Sequence, residues 1–307
     1  MTVVVGANPF GEALAAVDLG MSLVHTLRGA TGPLELVVAT VVPPGWQVPS
    51  MAKVDAEMQV WLDERTRDAE AAALAFLGAR ADGVKVEFVR LRNRSTSRAL
   101  AVLAEEREAA ALVLGSATDG GADGRIVVGS TADHLLHSSP VPLAIAPRGY
   151  ACAGGPAGDT ARRLTCSFGG TSDQAPAVRW AAALTREIDV QLRVASFGVR
   201  AHTMYPPEIG MDIESEVNAQ WQEQVAEAQA SLRASLGDEL DDDVTFVISA
   251  GTSWSEALTS VDWLPNELLV LGSSTSGTLR RVFLGTRATK IVRYSPVPVL
   301  VVPRDAL

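Results

Sequence analysis

Two loops in this chain place glycine beside hydroxyl residues at spacings suited to holding a phosphate. One runs Gly272-Ser273-Ser274-Thr275, then nine residues, then Gly285-Thr286. The other runs Gly115-Ser116-Ala117-Thr118, then ten residues, then Gly129-Ser130. Glycine lets backbone N–H groups approach an anion, and a helix opening at the second marker adds donors and a positive partial charge. The Thr286 hydroxyl can hold a phosphate oxygen or cap that helix. The bland alternative is that these glycines only shape a tight loop.

Other groupings point more weakly to chemistry. Ser167-Phe168-Gly169-Gly170-Thr171-Ser172-Asp173 resembles the Ser-Gly-Gly-x-Asp-Ser loop of ATP pyrophosphatases. Phe168 interrupts that pattern and its final Ser and Asp are transposed, so Asp173 is expected at a helix start, where a carboxylate is favourable. Arg90, Arg92, Arg94 and Arg98 read as a solvated basic turn. His134 and His137 are three apart on a predicted helix but lack a third ligand at metal-binding spacing. Trp61 and Trp221 recur on two long helices and are expected in the core, whereas Trp254 and Trp263 have no tryptophan counterpart and are candidates to face a partner. No Ser-His-Asp or Cys-His set stands out, so no nucleophile is assigned.

The elements that position these loops occur twice. Ser139-Pro140-Val141-Pro142 opens a run ending in Pro147-Arg148, and Ser295-Pro296-Val297-Pro298 opens one ending in Pro303-Arg304. Leu112–Gly115 returns likewise as Leu269–Gly272. Self-similarity at half the chain length means a duplicated domain rather than a solenoid. Each half alternates apolar strand runs with amphipathic helical stretches, the pattern of a parallel sheet with helices on both faces. In such a sheet, ligands bind beyond the carboxyl ends of the strands. The predicted division is 1–149, a Gly/Pro-rich linker 150–162, and 163–307.

Composition narrows the function classes. The 307 residues are 47% hydrophobic and carry a formal net charge of −10. An acidic chain is a poor match for general nucleic-acid or anionic-membrane binding. No apolar run is long enough to span a bilayer, no signal peptide is read, and two cysteines make no disulfide framework. A cytoplasmic setting is expected.

At the two loops and their Pro-Val strands the chain resembles the universal stress protein family. That signature is Gly, two residues, Gly, nine residues, Gly and Ser/Thr, followed by a helix and a final strand. The resemblance implies, in each half, a five-stranded parallel sheet in the order 3-2-1-4-5. It further implies an adenine nucleotide such as ATP at Asn8, Val41, Gly115, Thr118, Gly129 and Ser130, and at Gly272, Thr275, Gly285 and Thr286, with no metal required. Departures from the pattern are threonine (Thr118, Thr275) for the middle glycine, and Asn8 or Gly169 for the aspartate after the first strand. The reading is a non-enzymatic stress or signalling module with degenerate nucleotide sites, its final strands pairing within the chain and a homodimer also open. Its rivals are a weak ATP hydrolase or adenylating enzyme using Ser167–Asp173, and a ligand-free scaffold.

Overall fold

The structure is a computed structural model that describes residues 1–11, 13–27, 35–45, 52–117, 121–153, 163–199, 207–273 and 285–303, with backbone alone at 52–53 and 207–215. The chain divides into two compact units, Met1–Thr160 and Ala161–Leu307.

In the first unit, β1 (Thr2–Ala7), β2 (Glu35–Val42), β3 (Lys85–Arg92), β4 (Ala111–Gly115) and β5 (Leu143–Ala146) form the sheet. Every ladder is parallel and the order is β3-β2-β1-β4-β5, as the resemblance implies. Helices α1 (Leu14–Thr26), α2 (Ala52–Leu77), α3 (Thr96–Glu106) and α4 (Ser130–Leu136) make the crossovers. The central strands are unbroken apolar runs because helices cover both faces; Val4, Val5, Leu36, Leu112 and Val113 are all fully buried. The Ser95 side chain caps α3 by accepting from the Arg98 N–H at 3.3 Å.

The third strand extends through Arg90 and Arg92. Arg90 reaches Asp63 on α2 at 2.8 Å and Arg92 donates to Gln59 at 2.9 Å. Two of the four arginines read as a basic turn are therefore strand residues tied to a helix. Arg94 and Arg98 remain exposed.

The second unit repeats the plan. Its strands are β6 (Arg163–Ser167), β7 (Gln191–Val199), β8 (Thr245–Gly251), β9 (Leu268–Gly272) and β10 (Val299–Val302). They are parallel within the unit, with β6 between β7 and β9, β8 outside β7 and β10 outside β9. Helices α5 (Ala175–Ile188), α6 (Pro207–Leu236), α7 (Trp254–Thr259) and α8 (Thr286–Tyr294) connect them.

Strand register fixes which residues correspond. Ala39 lies beside Gly6 and Val89, and Ala195 lies beside Ser167 and Val247. Thr40 thus matches Ser196, Val41 matches Phe197, Val42 matches Gly198, and Ala7 matches Phe168.

The long helices correct the reading of the tryptophans. Both end at a glycine with positive φ, Gly78 at 41° and Gly237 at 47°. Counted back from there, the buried stripe Leu62, Thr66, Ala73 and Leu77 matches Trp221, Val225, Leu232 and Leu236. Trp221 therefore corresponds to Leu62, and Trp61 stands one residue off the stripe, about 100° round the helix. Trp61 is not core: it is 45% exposed. Trp263 is corrected in the other direction, since it stacks on Phe197 (centroids 6.4 Å) and donates from Nε1 to the Leu258 carbonyl at 2.6 Å.

The amino end of the second sheet holds a buried ion network. Glu267 accepts from Arg163 at 2.7 Å, from Arg193 at 2.6 Å, from the Leu264 N–H at 2.8 Å and from the Thr165 hydroxyl. Arg193 also lies over the Trp263 ring at 5.0 Å. In the first unit the matching positions are Ala110, Val37 and Val4 for Glu267, Arg193 and Thr165.

Candidate functional site

The carboxyl ends of β1, β2 and β4 in the first unit open onto a crevice of about 370 Å³. It lies where the chain crosses from β1 outward in both directions, the switch point at which parallel sheets take ligands. The crevice brings together Asn8, Val41, Gly115, Gly129 and Ser130, five of the six residues assigned to this half from sequence. Thr118 lies outside the described residues.

Each wall has a local cause. Gly6 keeps β1 thin at the crevice floor, because a Cβ there would meet Leu100 and Leu114 at 2.7 Å. After β1 the chain makes a tight turn: Asn8 Oδ1 accepts from the Phe10 N–H at 3.1 Å and the Asn8 carbonyl from the Gly11 N–H at 3.3 Å. The Asn8 side-chain oxygen therefore shapes the loop, and its amide NH2 is left as the donor toward a ligand. After β4, Ser116 Oγ accepts from the Val127 N–H at 2.8 Å and the Ala117 N–H donates to the Val127 carbonyl at 2.9 Å. Those bonds pin the loop so that Gly129, in extended conformation, delivers Ser130 to the start of α4. A Cβ on Gly129 would stand 3.1 Å from the Ala117 Cβ.

Residues without a sequence signature complete the walls, notably Phe10, Thr96, Leu100 and Leu114. Phe10 is the informative one. It is 51% exposed, and its ring stacks on Trp61 with centroids 5.4 Å apart and planes 12° apart. An aromatic in a short loop after a strand is common, and only the fold shows that this one borders a cavity.

The second unit differs at the same register positions. Ala7 is replaced by Phe168 (2% exposed) and Val41 by Phe197 (5% exposed). Thr96, which opens α3, is replaced by Trp254, which opens α7. Gly169 N–H, the donor a phosphate at this loop would use, bonds the Gln174 side-chain oxygen instead. Asp173 lies in a single 3-10 turn, Ser172–Gln174, directly before α5, as expected of a helix-start carboxylate. Gly272 ends β9, Gly285 is itself the N-cap residue of α8, and Thr286 is the exposed first helical residue. Thr286 thus does not cap the helix. Thr275 lies outside the described residues.

His134 Nδ1 sits 2.7 Å from the Ser130 carbonyl, a bond within α4. Among the described residues, no group of three His, Cys, Asp or Glu side chains is placed to hold an ion. Both cysteines are buried and neither is in a disulfide, and burial pushes the Cys166 thiol up to about 12. No helix among the described residues is long and apolar enough to cross a membrane.

Comparison with known proteins agrees with this architecture. The profile of the universal stress protein family matches residues 1–147 and again 161–303. Universal stress proteins of Mycobacterium tuberculosis and Mycobacterium bovis are each 40% identical over 305 residues, covering 99% of this chain and all of theirs. Among solved structures, a universal stress protein of Archaeoglobus fulgidus aligns over 99% of this chain and 98% of its own, with TM-score 0.60 and 16% identity. A putative universal stress protein of Pseudomonas aeruginosa aligns over 99% and 94%, with TM-score 0.57 and 13% identity. The solved structures speak for the fold, while the profile matches and the mycobacterial relatives carry the kinship: this chain belongs to the universal stress protein family, with the family's domain present twice.

Proposed function

We propose that this protein is a non-enzymatic stress-response module, cytoplasmic, whose first unit binds an adenine nucleotide weakly and whose second unit does so more weakly or not at all. The observation that carries the reading is the convergence of Asn8, Val41, Gly115, Gly129 and Ser130 on one crevice at the switch point. Asparagine at residue 8 supplies a neutral hydrogen bond, of order 0.5–1.5 kcal/mol, where the family pattern has an aspartate, whose charged bond contributes of order 1.5–3 kcal/mol. The larger residues Phe168, Phe197 and Trp254 argue against an equal site in the second unit. An adenylating role for Ser167–Asp173 is disfavoured because the Gly169 amide is bonded to Gln174. Pairing of the units along their final strands, and a homodimer, belong to the same proposal, since pairing covers exposed sheet edges.

Calorimetric titration with ATP tests the reading. One high-micromolar site per chain is expected, abolished by Gly115→Val and unchanged by Gly272→Val. Two equal sites, or nucleotide retained stoichiometrically in both halves through purification, would overturn it. Turnover lost on mutation of Ser167 or Asp173 would restore the enzymatic alternative.

A further inference from the structure

We infer that the first-unit crevice selects the flat, uncharged ring of its ligand through Phe10, with Trp61 as its backing, and gains little from a phosphate tail. This rests on the nucleotide reading above and narrows it to the nucleoside part.

Three observations converge. First, Phe10 borders the crevice, and its ring stacks on Trp61, which is not a lining residue. The two residues are 51% and 45% exposed, and Arg65 lies 6.0 Å from the Trp61 centroid. Half-exposed aromatics stacked with their planes nearly parallel can present a ring face to an incoming ring. The turn bonds to Asn8 fix the Phe10 backbone, so the platform is set before ligand arrives.

Second, no described lining residue of the crevice is charged. The polar side chains there are Asn8, Thr96, Ser116, Ser130 and Thr131, and the oxygens of Asn8 and Ser116 already accept backbone N–H groups. Arg94 and Arg98 flank Thr96 in sequence but are exposed and do not line the cavity. Desolvating a polyphosphate without a cation is costly, whereas a stacked base contributes roughly ten- to a hundred-fold in affinity.

Third, the remaining walls are apolar. Val41, Leu100 and Leu114 suit a ring edge and not a hydrated anion.

The experiment titrates the full chain with adenosine, AMP and ATP at one ionic strength, by calorimetry and by tryptophan fluorescence. Adenosine is expected to bind within about threefold of ATP or tighter. Phe10→Ala should weaken adenosine about tenfold, with Phe10→Tyr restoring it. An unchanged thermal midpoint in Phe10→Ala shows that the exposed ring was not needed for folding. Binding that rises tenfold or more from adenosine through AMP to ATP would overturn the inference while leaving the nucleotide reading intact. Adenosine affinity unchanged in Phe10→Ala would overturn it too. If none of the three binds, both readings fall.

Discussion

Trp61 and Trp221 look like one residue repeated, yet one stacks on Phe10 at the crevice and the other lies against a strand. Trp221 lies on the buried stripe of α6 with its ring against Gly198, where an added Cβ would approach Cη2 to 2.4 Å. In the first unit the strand position is Val42, 1% exposed, and the helix position is Leu62, 3% exposed. Glycine with tryptophan in one unit and valine with leucine in the other divide the bulk differently between matching positions. The first unit thereby leaves its tryptophan one residue off the stripe, free to stack on Phe10. The comparison teaches that duplicated domains can diverge by trading bulk across a contact, and that the trade decides which crevice keeps an aromatic rim.

The ion network has apolar residues at the matching first-unit positions, and removing it should give the largest effect. Glu267→Ala would leave Arg193, whose side chain is 5% exposed, without its carboxylate partner, and Arg163 likewise unpaired. Breaking a buried pair from one side costs about 3–5 kcal/mol. Denaturant unfolding followed at the second unit's tryptophans should show that loss, while Ala110→Gly at the matching first-unit position should move the midpoint far less. Equal losses would mean the network is not the feature separating the two.

The trade of bulk is tested next. Gly198→Val recreates the first-unit strand beneath a tryptophan, and overpacking of this kind costs about 1–3 kcal/mol. The Trp221 emission should shift toward the red as the ring is displaced outward. A variant of wild-type stability and spectrum would show that the contact has slack, and the account of Trp61 would fail with it.

Thr40 and Ser196 share a register position and differ in satisfaction. Ser196 Oγ donates to the Phe168 carbonyl at 2.7 Å and accepts from Gln229 at 2.9 Å, whereas Thr40 Oγ1 is buried without a partner. Ser196→Ala should cost about 1–2 kcal/mol, because it removes the hydroxyl donor to the Phe168 carbonyl and leaves Gln229 Nε2 only the Val247 carbonyl at 3.1 Å, while Thr40→Val should be neutral or stabilising. Thermal melts of the two variants decide it, and a loss in Thr40→Val would reveal an unseen partner.

Much of this was legible in sequence, for identifiable reasons. Runs such as Leu112–Gly115 and Leu269–Gly272 read as strands buried on both faces, and the glycine pairs after them marked the rim where Gly115, Gly129 and Ser130 meet. What escaped depended on helix phase or on partners distant in the chain. A one-residue offset between Trp61 and Leu62 is invisible to landmark matching but turns a side chain by about 100°. Glu267 meets Arg163 and Arg193 only because β6 lies between β7 and β9. Arg90 and Arg92 looked like a loop cluster because their partners, Asp63 and Gln59, sit on a helix preceding them.

The smallest expected effect concerns the outer strand of the first sheet. Glu87 on β3 accepts a bidentate pair from Arg107 at 2.9 and 2.6 Å, with Lys85 nearby at 3.7 Å. The Arg107 hydrogen bonds lower its carboxyl from the ordinary 4.5 to about 2. A depressed folded-state value contributes stability above the unfolded pKa, and that contribution is lost as pH falls from about 4.5 toward about 2. Because the Glu87 side chain is 31% exposed, solvent screening reduces the contribution to about 1 kcal/mol or less. The matching residue in the second unit is Thr245, which has no charge to lose. Glu87→Gln should therefore lower stability slightly at pH 7 and flatten the acid limb of the first unit's unfolding, leaving the second unit's acid limb unchanged. Stability curves at pH 7, 4 and 3 for wild type and variant measure this. A variant that keeps the wild-type acid slope would place the acid sensitivity of the first unit in other carboxylates.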